Sequence, residues 1–147
     1  MAFRFRYESL LNYRRHLKDM AQIELARSME QLQVAKEALQ SITTEYARAT
    51  GAFKQSLRKG IAAQRLRSYS AYLNRLKEHI SQKALQVAEW EEIVEKKRKD
   101  LLEKDKEWKI MDKLKERDFQ KWSAERETKE RIALNEMAVL RHGRNFR

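Results

Sequence analysis

Three histidines, His16, His79 and His142, are the side chains best suited to acid–base or metal chemistry near neutral pH. Each stands alone. None lies three to five residues from another histidine, and the chain has no cysteine. No metal-ligand spacing is therefore present, and a disulfide framework, a thiolate zinc site and a cysteine nucleophile are excluded. The 22 aspartates and glutamates alternate with lysine and arginine on what read as solvated helical faces, where no cleft would tune them for catalysis. Three glycines in all leave no phosphate-cradling loop. No cofactor is implied and no catalytic constellation emerges. The chemistry left to this sequence is recognition by charge and by apolar surface.

The charge is lopsided: 33 lysines and arginines give a net +11 and a pI near 9.9. It divides as +5 over residues 1–60, +2 over 61–112 and +4 over 113–147, so the excess is assigned to the two chain ends. Such an excess attracts an acidic protein surface, nucleic acid or anionic lipid. Phosphate contact needs a basic face uncancelled by acids. Acids are interleaved through the second half, and no basic block precedes a zipper. Nucleic-acid binding and a generic basic coiled-coil scaffold stand as the alternative readings. No segment approaches the roughly 20 apolar residues needed to span a bilayer, and the N-terminus has no apolar run of the secretory kind. A cytosolic chain is the expectation.

The elements that must position these groups are long helices. Charged residues make up 37% of the 147, hydrophobic ones 41%, and there is no proline, the balance of a coiled coil and not of a thick-cored globule. Leu10, Tyr13, Leu17, Ala21 and Leu25 read as one apolar stripe, with a stutter between Leu17 and Leu25 that unwinds the supercoil locally. Leu25, Ser28, Leu32, Ala35, Leu39, Ile42, Tyr46, Ala49 and Phe53 then alternate by three and four, a coiled-coil seam. Gly51 lies within it and costs about 1 kcal/mol against alanine, so the helix is expected to fray there. Gly60 can supply a left-handed cap, and Ala62 offers no capping side chain to the next helix.

A second stripe runs through Leu66, Tyr69, Leu73, Leu76, Ile80, Ala84, Val87, Trp90, Val94, Leu101, Trp108 and Met111, with Lys97 and Lys104 on seam positions. After Val94 the stripe thins, and from Glu92 on opposite charges four apart support the helix: Glu92–Lys96, Glu95–Lys99, Asp100–Lys104, Asp105–Lys109, Glu125–Lys129 and Glu127–Arg131. The fold expected is all-α, an antiparallel two-helix coiled-coil hairpin in one domain spanning 1–147. Its parts are a helix at about 8–58, a turn at about 59–62, a longer helix at about 63–141 and a basic tail at 142–147. Folding back near residue 60 sets Leu11 near Lys109 and Phe3 near Phe119, with Phe3-Arg4-Phe5-Arg6-Tyr7 laying its rings on the neighbouring helix. The longer helix then overhangs by about 30–35 Å. That overhang carries Trp122, Ile132, Leu134, Met137 and Leu140, apolar residues that call for a partner or a self-association seam.

Phe3-x-Phe5 followed by Leu10-Leu11-x-x-Arg14 resembles the N-terminal signature of the flagellar export protein FliJ family. Tyr69-x-x-Tyr72-Leu73-x-x-Leu76-x-x-x-Ile80 is similar to that family's central block, and Leu134-Asn135-Glu136-Met137-Ala138 resembles its C-terminal end, with Asn135 where an acid is usual. The resemblance covers nearly the whole chain. It implies a non-enzymatic, central-stalk-like component of the flagellar type III export apparatus. The partners implied are the hexameric export ATPase, the membrane-embedded export gate and export chaperones. The location implied is the cytoplasmic face of the inner membrane at the flagellar base. Expected ATPase contacts are Arg4, Arg6, Arg14, Arg15, Lys113, Lys115, Arg117, Lys121 and Arg126. Expected gate contacts, carried over from the family, are Ile42, Tyr72 and Leu76, though seam packing accounts equally well for Ile42 and Leu76.

Overall fold

A computed structural model describes residues 2–145 of the chain. Among them, two helices account for all regular structure: α1 (Glu8–Lys59) and α2 (Ala63–Asn145). They pack antiparallel. The chain divides into two units, one of Met1–Asp19 with Glu103–Arg147 (the terminal unit) and one of Met20–Leu102 (the turn unit).

In the turn unit, the helices meet along a seam of alternating small and large side chains. Ala21, Ser28 and Ala35 of α1 are buried, as are Leu76 and Val94 of α2. Leu25, Leu32, Leu39, Ile42, Tyr46 and Phe53 are half-buried between and beyond them. The small residues let the backbones approach, and Ser28 satisfies its hydroxyl by donating to the Leu25 carbonyl at 2.8 Å. On α2 the half-buried seam residue between Ile80 and Val87 is Lys83, while Ala84 is exposed. A lysine can hold such a position by laying its stem along apolar surface while its head reaches water. Lys97 likewise holds a seam position and donates to Glu24 at 3.0 Å.

The turn closes on Gly60, whose φ of +86° is a left-handed conformation that glycine adopts without strain. Its N–H reaches the Leu57 carbonyl at 3.3 Å. Past it, the Ala62 carbonyl accepts the first helical bond of α2, from the Leu66 N–H at 3.0 Å, with no capping side chain. Phe53 and Tyr69 meet across the hairpin with centroids 5.5 Å apart and rings tilted by 45°. The fraying expected at Gly51 does not occur: α1 continues unbroken to Lys59.

The terminal unit corrects the stripe at the start of α1. Leu10 and Tyr13 are 40% and 58% exposed, whereas Leu11 is 1% exposed. The row Leu11, Arg14 and Lys18 holds inward positions of this unit, and Leu17 of the expected stripe is half-buried as well. Apolar pattern alone missed it because two of its positions are cations. Arg14 donates to the Glu107 carbonyl at 3.2 Å, and Lys18 sets its ammonium 4.2 Å from the centre of the Trp108 ring and 4.0 Å from Asp105. A backbone carbonyl takes the Arg14 head, and a ring and a carboxylate together take the Lys18 ammonium, where aliphatic residues were expected.

Ahead of α1, residues 3–7 lie on α2. Phe5 is buried with Leu11 and Met111, and Phe3, Trp108 and Leu114 pack around that cluster. Phe3 meets Phe119 edge-on at 5.4 Å and Trp122 at 5.8 Å. Trp122 is therefore the last covered layer, not part of the overhang as the sequence suggested. Residues Ala124 to Arg144 are all exposed. The tail expected at 142–147 is instead helical through Asn145; Phe146 and Arg147 lie outside the described residues.

Of the six expected pairs along α2, Asp105–Lys109 is closed, at 2.7 Å. Elsewhere the charges choose other partners, Glu95 with Arg98 and Glu130 with Arg126. Exposed pairs of this kind add little stability, so nothing holds them to one partner.

Candidate functional site

Every basic residue singled out for an ATPase falls in the terminal unit, but the nine are not equivalent. Three have committed heads: Arg14 on the Glu107 carbonyl, Lys115 on Glu8 at 3.0 Å, and Arg126 on Glu130 at 3.3 Å. Arg126 also lies over the Trp122 ring at 5.4 Å. Two rest on aromatic rings, Arg6 on Tyr7 at 5.5 Å and Arg15 on Trp108 at 5.7 Å. The remaining four, Arg4, Lys113, Arg117 and Lys121, are exposed with no ion pair among the described residues. Lys113, Arg117 and Lys121 follow each other by four along α2 and so share one face. Charge that is exposed and uncancelled is what an acidic surface can use.

The expected gate residues lie in the turn unit. Leu76 is 5% exposed and is a seam residue. Ile42 is half-buried beside it in kind. Tyr72 is half-buried, and its hydroxyl donates to Glu45 at 2.6 Å. That hydrogen bond stabilises the protonated phenol and raises its pKa; slight desolvation and the Glu45 charge act in the same direction. Ile42 and Tyr72 present partial surface, while Leu76 presents almost none.

The turn unit also carries an acid-free basic stretch. Between Glu45 and Glu78 there are eight lysines and arginines, from Arg48 to Lys77, and no acid. All eight are exposed. A count in shorter windows finds this stretch, and it shows that the positive excess is not confined to the chain ends.

No group of three or more His, Asp or Glu among the described residues is arranged to hold a metal ion. No helix among them is long and apolar enough to cross a membrane. The grooves that exist are shallow and open, lined by single helix faces such as Ile132, Asn135, Glu136, Val139 and Leu140. What the described residues offer is paired helices with exposed basic faces.

The family profile described as "Flagellar FliJ protein" matches residues 3–147, and the chain belongs to that family. Membership makes it a non-enzymatic component associated with type III protein export. Among solved structures it is similar in fold to one described as a YscO homolog, CT670 from Chlamydia trachomatis. That likeness has a TM-score of 0.56 at 19% identity and covers 96% of each chain. A comparison with curated protein sequences gives no match.

Proposed function

We propose that this chain is the central-stalk-like subunit of the flagellar type III export apparatus. It binds the hexameric export ATPase through the terminal unit and links it to the export gate and to export chaperones. It acts in the cytoplasm, held peripherally at the inner membrane at the flagellar base. The observation that carries the ATPase contact is the exposed, unpaired set Arg4, Lys113, Arg117 and Lys121, on a chain whose family membership spans residues 3–147. Long-range attraction between this set and an acidic lumen speeds and orients docking without any deep pocket. Arg6 and Arg15 extend the same surface from their aromatic rests. Arg14 and Lys115 spend their charge on contacts between α1 and α2, and Arg126 pairs weakly with Glu130 on its own helix. Gate binding is assigned to Ile42, Tyr72 and Leu76.

The test is the triple reversal Lys113→Glu, Arg117→Glu, Lys121→Glu, read by co-precipitation of the export ATPase and by its stimulated ATP hydrolysis. Association at least tenfold weaker and lost stimulation are expected. Unchanged association rejects the assignment. The acid-free stretch from Arg48 to Lys77 supports a second reading, in which the turn end meets the acidic surface. Reversal of Arg58, Lys59 and Arg65 in a separate variant tells the two ends apart.

A further inference from the structure

Beyond Trp122, the last residue that Phe3 touches, α2 runs on without cover from the rest of the terminal unit. Its large apolar side chains there are more than half exposed: Ile132 51%, Leu134 65%, Met137 54%, Val139 70% and Leu140 69%. They do not share one stripe. Ile132 and Val139 lie on one side and Leu134 and Met137 on another, so more than one neighbour is needed to cover them.

The second side has an order of its own. Glu127, Glu130, Leu134, Met137, Arg141 and Arg144 recur at spacings of three and four, which is one coiled-coil row. Their types run acid, acid, apolar, apolar, base, base. Such a row is complementary to itself when turned end for end. With the turning point between Asn135 and Glu136, Glu127 faces Arg144 of a second copy, Glu130 faces Arg141, and Leu134 faces Met137. Each contact occurs twice by symmetry. Ala133 and Ala138 exchange places under the same operation and flank the apolar middle, where their small size lets two helices close. A parallel pair gains none of this. It sets Glu127 against Glu127 and Arg141 against Arg141, and like charges penalise that arrangement.

We propose that this row is a self-association seam that takes the same row of a second copy of this chain, antiparallel about a two-fold axis. The shallow groove of Leu134, Met137, Ala138 and Arg141 is the middle of it. Glu130 accepts from Arg126 at 3.3 Å within the helix, but both side chains are more than half exposed. A pair so exposed is weak and leaves the carboxylate able to bridge to a second arginine. Residues 127–144 extend about 27 Å, so the interface falls in the small, reversible class below about 1,200 Å². Ile132, Val139 and Leu140 stay open in the pair, free for a different protein. The proposal does not depend on the ATPase reading.

Sedimentation velocity of the full chain, over a concentration series at low salt and at about 0.5 M salt, tests it. A concentration-dependent dimer that weakens with salt is expected. Glu127→Arg with Glu130→Arg, and separately Arg141→Glu with Arg144→Glu, should each raise the apparent Kd at least tenfold with helical CD unchanged, since all four side chains are exposed. An equimolar mixture of the two variants has every charge layer matched and should associate at least as tightly as the unmodified chain. A chain monomeric at every concentration overturns the proposal, as do charge variants that still dimerise or a mixture that stays monomeric. So does a row protected from hydrogen exchange only when another export component is added, which would assign it to that component.

Discussion

Leucine 10 and leucine 11 are adjacent in sequence and opposite in consequence. The apolar stripe read from sequence put Leu10 in the seam, whereas the packing buries Leu11 to 1% exposure against Phe5 and Met111 and leaves Leu10 at 40%. Truncating Leu11 to alanine removes three carbons from a fully enclosed site. At about 0.8 kcal/mol per buried carbon the transfer loss alone is about 2.4 kcal/mol. The cavity left between Phe5 and Met111 adds to it, within the roughly 2–5 kcal/mol typical of such truncations. Leu10→Ala, on the solvent side, should cost under about 1 kcal/mol. Urea unfolding followed by tryptophan fluorescence reads the right place, because Trp108 packs beside the Leu11 cluster. With an m-value of about 1–3 kcal/mol/M, Leu11→Ala should lower the midpoint by about 1–2 M and Leu10→Ala by a fraction of that. Equal losses, or a larger loss at Leu10, would refute the inward row of Leu11, Arg14 and Lys18.

Gly51 is helical, and a Cβ added there meets nothing within 4 Å. Gly51→Ala should therefore stabilise the chain by about 1 kcal/mol, raising the thermal midpoint by about 2–4 °C. Gly60→Ala has equal room but a φ of +86°, so it should destabilise by about 1–2 kcal/mol, visible as a lower midpoint in the same CD melt. The Tyr72 phenol, held protonated by donating to Glu45, should titrate above its ordinary value of about 10. Its raised folded pKa means that this contribution to stability is fully present below the ordinary value and is lost as pH rises through the raised one. Ultraviolet titration should show the shift, and Glu45→Gln should reduce it; no change on that substitution would discount the hydrogen bond.

The sequence alone determined a good deal about this protein. The absence of proline, the three-and-four spacing from Leu25 to Phe53 and the lone turn glycine at Gly60 dictate two long helices and the place where they reverse, because periodicity and backbone permissiveness are local properties. Reversal at a known point then sets Phe3 against Phe119 by counting, and the rings do meet. Family membership was also legible, in the signature residues at both ends and in the centre. Only the tertiary structure decided which residues face inward where the seam is not apolar. Arg14, Lys18 and Lys83 look like surface residues in a pattern of hydrophobicity. Arg14 and Lys18 reach inward because a backbone carbonyl waits for one and an aromatic ring with a carboxylate for the other, and Lys83 is half-buried. The same holds for the candidate docking surface. A list of arginines and lysines cannot separate Lys115, spent on Glu8, from Lys113 two residues earlier, exposed without an ion pair. That distinction depends on which side chain of the opposite helix lies within reach, and reach is fixed only once the helices have packed.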